Sequence, residues 1–173
     1  MLDGFVFDTR PITSKDWAHY NWVMARKRDG ITGGCEMSVS GNDISIADGY
    51  FLIRGRMGVV RGTTVVSAPT VSSGQVYALL VAKIDLSQTN TASTMNQLTF
   101  EVKTNSSAYP TVTQQDLDDT GTIYELAFAK FTISSNGIEN FEEVINEVAI
   151  DWVSESQFSF NSQTDSLYLT LGE

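Results

Sequence analysis

The chain has one cysteine and one histidine among its 173 residues. One cysteine excludes an intramolecular disulfide framework and any cysteine-rich zinc site. A thiol–imidazole pair would have to join Cys35 to His19, and no motif supplies the orienting group such a nucleophile needs. The expectation is a histidine on a helix surface and a small buried thiol. A serine nucleophile elbow, a GxGxxG, a Walker A loop and an HExxH are all missing. No apolar run approaches the roughly 20 residues of a membrane span. Met1-Leu2-Asp3-Gly4 carries an acid where a secretory signal carries positive charge, so no such signal is read. With 13 glycines, three prolines and 42% hydrophobic residues, the composition fits one globular domain, or one domain with a small appendage.

Positive charge is scarce and uneven. Eight of the 11 basic residues lie within the first 61 positions, where the net charge is +1. The rest of the chain holds only Lys83, Lys103 and Lys130, and its net charge is −11. So acidic a body repels phosphate, which argues against nucleic acid as a partner. Arg26-Lys27-Arg28 is read as complementing a helix C-terminus.

Serine and threonine are abundant and alternate with apolar residues, the pattern of strands with one wetted face. One segment reads as helix, over residues 14–28. Thr13 or Ser14 caps it, Asp16 completes a short-armed capping box, and Asp29-Gly30 supplies the stop. Trp17, Tyr20 and Met24 share one face while Trp22 points elsewhere, so the helix can meet a sheet on one side and a neighbour on the other. Met37 and Val39, Gly41-Asn42, then Ile44 and Ile46 predict a two-residue hairpin pairing 39 with 44 and 37 with 46. Residues 76–86 read as a central strand covered on both faces over its first half. Further strands are expected at 50–54, 63–66, 98–102 and 123–133, with a polar, exposed connection over 104–115. Asn136-Gly137 turns the last of these back. A strict two-residue loop there would set Phe131 opposite Glu142, and a longer one opposite Phe141. The fold class is mainly β: antiparallel, sandwich-like sheets with one N-terminal helix packed on or beside them. Residues 1–145 form the β-rich domain. Residues 146–173 form an acidic C-terminal segment with two short strands, a contact element for an oligomer or another partner.

Acids are the remaining chemical candidates. Asp116-Leu117-Asp118-Asp119 lacks the spacing and glycine of a calcium loop, and turn chemistry before Gly121 accounts for it. Glu139, Glu142, Glu143 and Glu147 offer carboxylate pairs of the kind glycosidases use, as any acidic surface does, and read as a solvated face. No catalytic residue, cofactor or metal is expected. Aromatic residues anchor interfaces and stack on sugars, which makes Trp17, Trp22, Tyr109 and Trp152 the candidate interface or glycan contacts. Tyr109-Pro110, in its polar loop, is the most exposed by context.

The order of the motifs resembles a known family. An early aromatic-bearing helix precedes Asp29-Gly30-Ile31, then the strand at 37–39, then Gly49-Tyr50-Phe51-Leu52-Ile53-Arg54-Gly55. The apolar strand at 77–86 follows, and later Asp116-Leu117-Asp118-Asp119 leads into Tyr124-Glu125-Leu126-Ala127-Phe128-Ala129. Over about residues 4–145 this resembles the domain of tail and baseplate proteins of siphophages and prophages of Gram-positive bacteria, including the N-terminal parts of receptor-binding and appendage proteins. The chain departs from that pattern where Phe141-Glu142-Glu143-Val144-Ile145 replaces the usual closing Asp-x-Arg. The resemblance implies a non-enzymatic assembly module of the virion, made in the host cytoplasm and homo-oligomeric, a trimer before a dimer. Its partners would be other tail and baseplate proteins, with host cell-wall saccharide as a further contact. The alternative is a carbohydrate-binding β-sandwich, and a glycan-cleaving tail enzyme ranks behind both.

Overall fold

The computed structural model describes residues 13–148, 158–161 and 166–169. It is mainly β, with antiparallel sheets and one short helix near the N-terminus. Helix α1 (Ser14–Met24) begins at Thr13, whose hydroxyl accepts from the Asp16 N–H while the Asp16 carboxylate accepts from the Thr13 N–H at 2.8 Å. The capping box is therefore complete. The helix stops four residues earlier than the sequence indicates. Arg26 and Lys27 take left-handed backbone (φ +53° and +59°) to turn the chain into β1 (Gly30–Gly34), so the reversal falls before Asp29-Gly30. Gly30 serves a different end: a Cβ there would meet the Asn146 carbonyl and the Val148 side chain, which lie against β1.

The strands β2 (Met37–Ser40) and β3 (Asp43–Ile46) form the expected hairpin, pairing Met37 with Ile46 and Val39 with Ile44. Gly41, at φ +60°, sits in the first loop position, as a type II′ turn requires. The next elements are β4 (Gly49–Ile53), β5 (Arg56–Val60) and β6 (Thr64–Ser67). Two three-stranded sheets result, ordered β1-β4-β5 and β2-β3-β6. A four-stranded sheet completes the main body. It contains β7 (Val76–Asp85), β8 (Leu98–Asn105), β9 (Ile123–Ser134) and β10 (Gly137–Glu143), in the order β10-β9-β7-β8. Strands β11 (Phe158–Asn161) and β12 (Ser166–Leu169) pair with each other in a separate two-stranded sheet, with no further strand partner among the described residues.

The core lies between the four-stranded sheet and the two smaller ones. Ala78, Leu80, Ala82 and Ile84 of β7 meet Ile44, Ile46, Phe51 and Ile53 within one buried cluster. Three rings stitch the layers: Phe51 lies 5.1 Å from Phe128 and 5.6 Å from Phe100, and Phe100 lies 5.1 Å from Phe128. The two pairs made by Phe128 are edge-to-face, a geometry that adds about 1 kcal/mol each beyond the area buried. The reversal after β9 uses Ser135-Asn136, pairing Ser134 with Gly137, one residue earlier than Asn136-Gly137 suggests. An irregularity between Glu139 and Glu142, with Asn140 at φ +52°, then shifts the register and brings Phe141 to 5.8 Å from Phe131. A bulge does what a longer loop was expected to do.

The outer face of the four-stranded sheet is equally organised. Leu79 and Val81 are buried there, so β7 is covered on both sides. Lys83, Lys103 and Lys130 each pair across strands with an acid, Glu101 (3.2 Å), Glu125 (2.6 Å) and Glu142 (2.9 Å). The 104–115 segment, read from sequence as an exposed connection, continues β8 to Asn105 and then straps this face. Its Thr113 N–H donates to Glu125 at 2.6 Å, Lys103 donates to the Thr111 carbonyl at 2.8 Å, and Tyr109 meets Tyr77 at 5.1 Å. Burial pushes the Glu125 carboxyl up, but the bonds from Lys103 and Thr113 outweigh it and hold the group below the usual carboxylate range.

Helix α1 rests on the β4–β5 turn through Gly55. This residue has φ +73°, its carbonyl accepts from Asn21 at 3.2 Å, and a Cβ there would strike the Ala18 carbonyl. Gly41 has a similar φ and open space around it. Gly41→Ala should cost about 1 kcal/mol from backbone strain alone. Gly55→Ala should cost at least about 2 kcal/mol more, because α1 must also lift. Urea unfolding of both variants measures the difference, and equal losses would mean that α1 does not depend on this contact.

Candidate functional site

The four aromatic candidates fall in different places. Trp17 is 52% exposed on the outward side of α1, edge-to-face with Tyr20 at 6.1 Å. Trp22, on the opposite side, is half-buried beneath the Arg54 guanidinium, 3.9 Å from the ring centroid, with Lys27 at 5.8 Å. Tyr109 is 39% exposed on the far sheet. Trp152 lies outside the described residues. Trp17, Trp22 and Tyr109 are not brought together. His19 is exposed on α1 and Cys35 is buried at the β1–β2 turn, where burial, then Glu36 and Asp48, push its thiol up and away from reactivity.

The chain concentrates polar contacts instead at Arg54, a residue the motif reading did not single out. The β4–β5 turn places Arg54 and Gly55 both at positive φ (+48° and +73°), the geometry of a type I′ turn. A side chain is rarely stable there, and Asp29 helps to hold it by accepting from the Arg54 N–H at 2.7 Å. The other Asp29 oxygen accepts from the Tyr124 hydroxyl at 2.9 Å. The Arg54 guanidinium reaches Asp118 at 3.4 Å and Asp116 at 3.5 Å while covering Trp22. The acid run 116–119 is thus a turn whose first two carboxylates face Arg54, with the Gly121 N–H donating to the Asp116 carbonyl at 3.0 Å. Among the described residues, no group of three or more His, Cys, Asp or Glu is placed to hold a metal ion. Glu142 belongs to the lysine ladder, and Glu139 accepts from Ser134 at 2.7 Å.

Around this clamp the surface is apolar. The register pairs Tyr50 with Val59 and Leu52 with Met57 on the outer face of β4–β5. Leu52 is covered, clustering with Ala25 of the helix end and Val148. Tyr50 (50% exposed), Met57 (51%) and Val59 (38%) are not. Beside them α1 turns Ala18 and Trp22 inward and Trp17, Tyr20, Val23 and Met24 outward. The sequence signal for this face was partial. The helical stripe was visible, but Tyr50 to Ile53 is apolar throughout and does not reveal which residues face solvent. No protein-family model matches the chain, and no curated protein is similar enough to stand as a relative. Among the described residues, no helix is long and apolar enough to cross a membrane.

Burial, then the Asp29 charge and the hydrogen bond to it, push Tyr124 up to about 12. A phenol whose folded value lies above its unfolded value of about 10 stabilises the fold fully below pH 10. That contribution is lost as the pH rises through 12. Tyr124→Phe should cost about 1 kcal/mol at neutral pH. It should also flatten the fall in stability between pH 10 and 12, as read from urea midpoints across that range. An unchanged alkaline slope would remove Tyr124 from the clamp.

Proposed function

We propose that this protein is a non-enzymatic structural component of a phage tail tip or baseplate, working as a homo-oligomer, a trimer before a dimer. The observation that carries the reading is the apolar outer face of β4–β5, where Tyr50, Met57 and Val59 stand exposed beside the outward side of α1. Contiguous exposed apolar residues rimmed by polar ones mark association surfaces. In a closed ring of one small chain, such a face meets a different surface of the next copy, head to tail. Supporting it, three of the candidate acids are held in structural pairs, Asp116 and Asp118 with Arg54 and Glu142 with Lys130. The family resemblance of residues 4–145 supplies the setting, contacts with other tail proteins.

Light scattering coupled to size exclusion at tens of micromolar tests it, a concentration chosen as an order of magnitude at which obligate contacts persist. The expected species is a trimer. Tyr50→Lys with Val59→Glu should give a folded monomer, because a charge held in an apolar contact costs several kcal/mol. A wild-type monomer at that concentration defeats the assembly reading. One observation favours a second reading, a glycan-binding module: Tyr109, exposed and braced edge-on by Tyr77. A monomer that binds cell-wall polysaccharide, and loses it on Tyr109→Ala, would select that reading.

A further inference from the structure

A cavity of about 520 Å³ opens where the N-terminal turn of α1 and β5 meet the turn at 117–122 and the connection after β7. Its size falls within the range of small-molecule sites. The floor is aliphatic, made by Ile84, Leu86, Leu98 and Leu117, and the exposed side chains of Met57 and Met95 flank the mouth. Among the described residues no aromatic ring lines it, so they offer no platform for stacking a sugar.

Arg56 is the feature that gives the cavity a polarity. It occupies the same register of β5 as Gly58, which a Cβ would drive into the Phe51 ring, and Val60, which is buried in the core. An arginine at that position directs its charge toward the end of the sandwich. The guanidinium donates to the Arg54 carbonyl at 3.4 Å and forms no ion pair among the described residues, while nearby Asp116 and Asp118 face Arg54. Burial lowers its hold on the proton, the Asp118 charge opposes that, and the smaller repulsion from Arg54 adds to the lowering. Lys15, also on the lining, donates to the Asp118 carbonyl. The one acid among the described lining residues, Asp119, is exposed. A half-buried guanidinium that no carboxylate of the described residues reaches within ion-pair distance, above an aliphatic floor, is complementary to an anion carrying a hydrocarbon body.

We propose that this cavity binds a small amphipathic anion, an aliphatic chain ending in a carboxylate. The chain lies on the Ile84–Leu98–Leu117 floor, and the carboxylate is held by Arg56, with Lys15 adding to the local positive field. The assignment does not depend on the assembly reading, since every measurement below is made on the full chain whatever its oligomeric state.

Titration calorimetry and amide NMR with octanoate, octylamine, octanol and octyl phosphate test it. Octanoate should bind saturably, one per chain, and shift amides at 84–86, 95–98 and 117–122, while octylamine binds at least about tenfold more weakly. Arg56→Gln should weaken octanoate about tenfold and leave octanol unchanged, and Arg56→Lys should recover part of the loss. Met95→Glu, at an exposed position that does not endanger folding, should weaken octanoate and not octylamine. Equal binding of octanoate and octylamine, or an Arg56→Gln variant with undiminished octanoate affinity, overturns the proposal. Octyl phosphate binding tenfold more tightly than octanoate overturns the carboxylate assignment.

Discussion

The Arg54 side chain is the contact on which the arrangement of the other elements depends. It lies over Trp22 of α1, faces Asp116 and Asp118 of the turn before β9, and shares Asp29 with Tyr124 through its own backbone N–H. Four separate stretches of chain therefore meet at one residue whose side chain is only 20% exposed. Isolated surface ion pairs contribute little. Here the two carboxylates, the stacked indole and the Asp29 tether act on one group, and removing any of them leaves a largely buried charge less well satisfied. The clamp has costs too: Trp22 Nε1 and Arg54 Nε are buried without acceptors. Stacking and charge pairing must offset that loss of hydration.

The two faces of the four-stranded sheet solve different problems. Toward the core, Phe100 and Phe128 lock against Phe51 of the opposing layer, so the layers are held by dispersion and ring geometry. Away from it, the three lysines of the acidic part of the chain are spent on three cross-strand pairs, and the 106–115 strap shields the middle of the sheet. The part of the chain after residue 61, with a net charge of −11, thus keeps its three lysines where they neutralise acids on a sheet surface. Arg56 stands apart from that economy, which is why the cavity beside it draws a ligand reading.

The position of α1 follows from the clamp and determines what the protein shows to its surroundings. With Trp22 taken by Arg54 and Ala18 seated on Gly55, the helix is oriented so that its larger apolar residues face outward. They stand beside Tyr50, Met57 and Val59. Exposed apolar residues gathered on one face are a general mark of association surfaces.

What the sequence determined by itself is local and periodic. The capping box at Thr13 and Asp16, the register of the β2–β3 hairpin through Gly41, and the two-sided burial of β7 all follow from neighbours a few residues apart. Period-2 alternation likewise sufficed for a mainly β fold. Tertiary structure alone decided where the helix stops, since the left-handed turn at Arg26 and Lys27 is fixed by the path into β1. It also chose which face of α1 turns inward, and the bulge at Asn140 that sets Phe141 beside Phe131. The Arg54–Asp118 contact spans 64 positions and the Tyr124–Asp29 contact spans 95. Periodicity reports the polarity of a face, but not the distant residue that will cover it. The clamp and the Arg56 cavity therefore became visible only once the strands had been laid side by side.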